Sequence, residues 1–93
     1  MVEIKEIDGI LNKIVSSTQG DSFTMDCIYS DGGEHRIYMI SFYNTSRHCT
    51  FGKIACEQSS GHVNRCVYRK HIFNDADNII DLLLDVYNYQ QIC

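Results

Sequence analysis

Hydrophobic positions along this chain change period twice, and each change marks a change of element. From Val2 to Val15, residues Ile7, Ile10, Leu11 and Ile14 recur at i, i+3, i+4 and i+7, the spacing of one helical face, with Glu3, Glu6 and Lys13 off it. The polar run Ser16-Ser17-Thr18-Gln19-Gly20 ends that helix. Between Ser22 and Ser30 the period drops to two: Phe23, Met25, Cys27 and Tyr29 alternate with Thr24, Asp26 and Ile28, as in a half-buried strand. Asp31-Gly32-Gly33 interrupts the run, and Arg36 to Asn44 resumes it. The pair predicts a β-hairpin whose glycines supply the positive φ of the turn.

A third strand, Cys49 to Glu57, follows the polar stretch Asn44 to His48, and a fourth, Asn64 to Phe73, follows Gln58-Ser59-Ser60-Gly61-His62. The period returns to 3.6 in a last helix that opens at Asn74 or Asp75, whose side chain can accept a bond from a first-turn amide, and runs to about Asn88. The expected architecture is a single α+β domain over residues 1–93: an N-terminal helix, a four-stranded antiparallel meander and a C-terminal helix, with both helices on one sheet face. The second strand complicates this packing. Tyr38, Ile40 and Phe42 occupy one face, Ile37, Met39 and Tyr43 the other, and helices on one face cannot cover both sets. Either the strand is central with helices on opposite faces, or one set, with Met39 and Tyr43 as candidates, contributes to an apolar contact surface, with homodimerisation through the open face or along an edge strand as its simplest use.

Composition is that of a folded domain: 44% hydrophobic residues, with six tyrosines and four phenylalanines, argue against disorder. No run approaches the ~20 apolar residues of a membrane span, and the N-terminal stretch interrupts its apolar residues with charge, unlike a signal peptide. Five cysteines form an odd set without framework spacing. Together these features lead to the expectation of a cytoplasmic protein with free thiols, off the membrane.

Charge is sorted along the chain. Residues 1–34 hold seven acids against two lysines, residues 35–72 hold six bases against Glu57, and residues 73–93 hold four aspartates and no base. Within the basic block, His48, Cys49, Cys56, His62, Cys66 and His71 have the ligand chemistry of zinc. Their spacing is poor: there is no C-x-x-C pair, and on unbroken strands Cys49 and Cys56, like Cys66 and His71, point to opposite faces. No metal and no cofactor are expected, a zinc-stabilised interaction module being the alternative. Nor is an enzyme expected, since no cysteine sits in a recognisable nucleophile context and Asp31-Gly32-Gly33 lacks the lysine and strand-to-helix setting of a phosphate loop.

Arg36, Tyr38, Arg65, Tyr68 and Arg69 would suit a sheet that stacks bases and tracks phosphates, but an isoelectric point near 5.4 opposes nucleic-acid binding. The last helix carries the stronger signal. On a helical wheel Ala76, Ile79, Ile80, Leu82, Leu83, Val86 and Tyr87 form an apolar arc, and Asp77, Asp81 and Asp85 line up on the other side. Like charges at i, i+4 cost about 0.2–0.5 kcal/mol per pair, and no lysine or arginine in the helix relieves them. With Asp75, these residues form the candidate site for a protein partner with a basic surface. Small acidic inhibitors of nucleic-acid enzymes, of the toxin-immunity, phage anti-CRISPR or anti-restriction kind, share this general profile, an analogy of class without a shared motif.

Overall fold

A computed structural model describes residues 2–16 and 21–89. Two helices and six strands follow in the order β1 (Val2–Glu3), α1 (Ile4–Ser16), β2 (Asp21–Ser30), β3 (Arg36–Asn44), β4 (Cys49–Ser59), β5 (His62–Tyr68), β6 (His71–Phe73) and α2 (Ala76–Tyr89). The six strands form one curled antiparallel sheet, a half-barrel, in the order β1-β5-β4-β3-β2, with β6 also paired to β5. The α+β class holds, and the four-stranded meander does not.

Both differences have local causes. Val2 and Glu3, read from sequence as the first turn of helix one, instead pair with Val63 and His62 of β5. The expected fourth strand, Asn64 to Phe73, is broken at Arg69 and Lys70, whose φ values of 50° and 72° place both in the left-handed region. They are the two central residues of a tight turn that brings Tyr68 opposite His71. A contact of the Arg69 guanidinium over the Tyr68 ring, 5.3 Å from its centroid, accompanies this unfavourable backbone.

Cross-strand register also departs from simple alternation. Ile28 is an extra residue between Cys27, opposite Tyr38, and Tyr29, opposite Ile37, so Tyr29 leaves the face of Phe23 and Met25. In β4 an extra residue at Gly52 lies between Phe51, opposite Phe42, and Ile54, opposite Ile40. Gly52 has φ 63°, and a Cβ placed there would collide with Val86 Cγ1 of α2 and meet Phe42 at 3.2 Å. The glycine thus creates the bulge and lets α2 approach the sheet.

One core fills the concave side. Ile7, Leu11 and Ile14 of α1 and Ile79, Leu82, Leu83 and Val86 of α2 pack with Ile40, Phe42, Phe51, Ile54, Cys56, Val63 and Cys66 of the sheet. Each such aliphatic side chain contributes roughly 1.5–3 kcal/mol of burial free energy. The two helical arcs read from the sequence are the faces that are buried, and both helices lie on one side of the sheet. Asp75 caps α2: its Oδ1 accepts from the Asp77 amide at 3.3 Å and its carbonyl accepts from the Ile79 amide at 2.9 Å.

Candidate partner-binding surface

Because the apolar arc of α2 is committed to the core, the geometry of the helix turns Asp77, Asp81 and Asp85 to solvent, and all three are exposed. Asn74, Asn78 and Asn88 are exposed beside them. Leu84, 41% exposed, projects just beyond the Asp77 edge of the stripe, so an apolar side chain flanks the acidic face. Among the described residues no lysine or arginine comes within ion-pair distance of these carboxylates. Among the described residues, the ion pairs formed are those of Glu57 with Arg65, at 2.8 Å, and with His35, at 3.7 Å, both inside the basic middle block. Among the described residues the opposed charge blocks are therefore not spent on one another through such contacts, and the acidic stripe faces outward.

The remaining candidate contact residues lie elsewhere. Met39 and Tyr43 are half-buried on the convex face of the sheet, opposite Ala55 and Thr50 respectively, with α2 on the far side. The structure does not bring them together with Asp75, Asp77, Asp81 and Asp85. On the convex face, register aligns Met39, Ala55, Val67 and Ile72 in one row across β3, β4, β5 and β6, with Asp26 of β2 opposite Met39 and the Glu57–Arg65 ion pair on the same face. Ile72 is 60% exposed at the end of that row.

The nucleic-acid set is divided. Arg36 and Tyr38 alternate with Ile37 on β3, so they share the concave side, where the hydrogen bond with Tyr38 holds the guanidinium pKa of Arg36 above its ordinary value. Arg65 pairs in register with Glu57 on the convex side and is held there by its ion pair. Tyr68 packs against the core with Arg69 over its ring. Among the described residues, no continuous platform of exposed rings and free cations results.

The cysteines and histidines are not placed as strand parity alone predicts. The Gly52 bulge puts Cys49 and Cys56 on the same side of β4, and the Arg69-Lys70 turn does the same for Cys66 and His71. Even so, among the described residues no three of His, Cys, Asp and Glu stand close enough to hold a metal. His48 adopts φ 54° in the β3–β4 loop, a conformation that histidine tolerates better than most residues. Cys49 is disulfide-bonded, which corrects the expectation of free thiols throughout and removes that support for a cytoplasmic setting. Cys27, Cys56 and Cys66 are free, the last two buried side by side in the core.

A pocket of about 260 Å³ opens at the start of α2 between Val2, Val63, Asn64, Asn74, Asp75 and Ala76. Its one carboxylate is the helix cap, so it offers no acid–base pair and no nucleophile. Among the described residues, no helix is long and apolar enough to cross a membrane. Comparison with protein-family models, curated proteins and solved structures finds no match for the chain.

Proposed function

We propose that this chain is a non-catalytic protein-binding module that lays the Asp77, Asp81 and Asp85 face of α2 on a basic site of a partner and so inhibits or regulates it. The observation that carries the reading is the outward stripe itself: three exposed carboxylates, one exposed leucine at their flank, and no cation of the described chain in ion-pair reach. A partner cation would relieve the repulsion within the stripe, and Leu84 would supply the apolar contact that a purely solvated face lacks. Successive carboxylates stand about 6 Å apart along the helix axis, which suits a cleft that ordinarily receives a run of phosphates. A nucleic-acid enzyme is the partner class with such a cleft, and a toxin-immunity, anti-CRISPR or anti-restriction role has this logic.

The test is paired capture from the native host with the unaltered chain, with Asp77, Asp81 and Asp85 all changed to lysine, and with all three changed to asparagine. The unaltered chain should retain a basic protein in stoichiometric amount, and both variants should lose it. Recovery of the same proteins by all three chains, or of no basic protein, overturns the proposal.

Self-association is a second reading, favoured by the Met39, Ala55, Val67 and Ile72 row on the convex face. Sedimentation equilibrium decides it: a dimer that dissociates in Ile72→Asp supports it, and a monomer at all concentrations removes it.

A further inference from the structure

Cys56 and Cys66 are direct register partners on β4 and β5, in a row that continues to Tyr38 on one side and Phe73 on the other. Both side chains are fully buried, and their sulfurs lie 2.6 Å apart. Unbonded heavy atoms settle near 3.5–4.0 Å for carbon, and sulfur is no smaller. A disulfide needs about 2.05 Å between sulfurs and about 4.4–6.8 Å between Cα atoms. Directly opposed residues of an antiparallel pair meet the second condition at about 4.5–5.5 Å. A zinc ion gripping both sulfurs at about 2.3 Å each would hold them well beyond the observed separation.

We propose that Cys56 and Cys66 are an oxidation site, closed as a cross-strand disulfide by thiol–disulfide exchange with a low-molecular-weight or protein disulfide. In the first step one cysteine, as thiolate, attacks a sulfur of the exchanging disulfide; a mixed disulfide forms, the S–S bond of the exchanger breaks and one thiol leaves. In the second, the other cysteine attacks the protein sulfur of the mixed disulfide and releases the second thiol. The protein loses two electrons and two protons, and both appear in the two thiols formed.

Burial sets when this happens. In the packed protein the neighbouring Cys66 sulfur, and then burial, push the Cys56 thiol well above its ordinary range, so the attacking thiolate is scarce. The β4–β5 hairpin, by contrast, is local: Ser60 and Gly61, with φ of 53° and 81°, form its two-residue turn and set Ser59 opposite His62. It brings the two cysteines together over ten positions of chain, a contact that needs neither helix. The bond is thus made while the hairpin is still open to the exchanger, and it is then sealed beneath the helices.

The experiment refolds the reduced full-length chain in a glutathione redox buffer, blocks remaining thiols with iodoacetamide and digests with trypsin. Cleavage after Lys53, Arg65 and Arg69 separates Cys56 from Cys66, so the bond is read as a linked pair of peptides that parts on reduction. The expected result is that linked pair as the dominant form, present in Cys27→Ser as well, while the already folded reduced chain in the same buffer forms it at least tenfold more slowly. Separate alkylated Cys56 and Cys66 peptides after refolding would overturn the proposal. So would either cysteine linked chiefly to Cys27, or a zinc ion released in stoichiometric amount when the thiols are blocked.

Discussion

Tyr87 donates its phenolic hydrogen to Asp21 Oδ2 at 2.5 Å, joining the last turn of α2 to the first residue of β2 across 66 positions of chain. Beneath that bond the Tyr87 ring meets Phe42 edge-on at 5.3 Å and Phe51 at 6.1 Å, while Phe42 and Phe51 stack at 5.4 Å. The acidic face of α2 is held outward because this opposite face is anchored. Tyr87→Phe keeps the ring and leaves the carboxylate without its donor. Urea unfolding should show a loss of about 1–3 kcal/mol, with the unfolding slope unchanged.

At Gly52 the backbone of the sheet lies so near α2 that a Cβ would collide with Val86 Cγ1. Gly52→Ala combines a left-handed backbone with a methyl group driven into Val86, and should cost about 2–4 kcal/mol. Val86→Ala in the same chain should recover part of that loss. A double-mutant cycle with no coupling between the two positions would mean that the backbone conformation alone is responsible.

The stripe works against its own helix. Asp81→Asn removes both i, i+4 repulsions, with Asp77 and with Asp85, and should raise stability by about 0.4–1 kcal/mol at low ionic strength. The gain should shrink as salt screens the exposed charges. A loss of stability in thermal or urea unfolding would reveal an internal cation holding Asp81.

In reducing buffer the Cys56 thiol makes stability depend on pH. Its folded-state pKa is raised, first by Cys66 and then by burial, so its contribution is fully present below the unfolded thiol's value and falls away as pH rises above it. Above about pH 8.5 unfolding should become easier by roughly 1.4 kcal/mol per pH unit from this group. Cys56→Ala should flatten that slope, whatever it does to stability at neutral pH.

The features legible from the residues were those that local pattern dictates. The arcs Ile7, Leu11, Ile14 and Ile79, Leu82, Leu83, Val86 are the buried helical faces, and Asp31-Gly32-Gly33 is a turn, with Gly32 at φ 86° and the Gly33 amide donating to Asp31 Oδ1 at 2.8 Å. Register was not legible in the same way. A single extra residue at Ile28, Gly52 or Asn64 reverses the facing of the rest of its strand, and the tight turn at Arg69-Lys70 carries none of the glycine or asparagine that usually signals one. Strand β1 is two residues long and exists through its partner on β5, so no periodicity could reveal it. The same dependence on register hid the meeting of Cys56 with Cys66. The aspartate stripe was legible from the wheel alone, but that no lysine or arginine of the described chain lies within ion-pair distance required the folded arrangement.

Carboxylate footprinting of the chain with its captured partner shows whether Asp77, Asp81 and Asp85 are the contact surface. Carbodiimide-driven labelling is read residue by residue in the free chain and in the complex. All three aspartates should label strongly in the free chain and be protected at least fivefold in the complex, with Asp8 and Asp26 unchanged. Undiminished labelling of the stripe in a complex that forms through other residues would contradict the proposal.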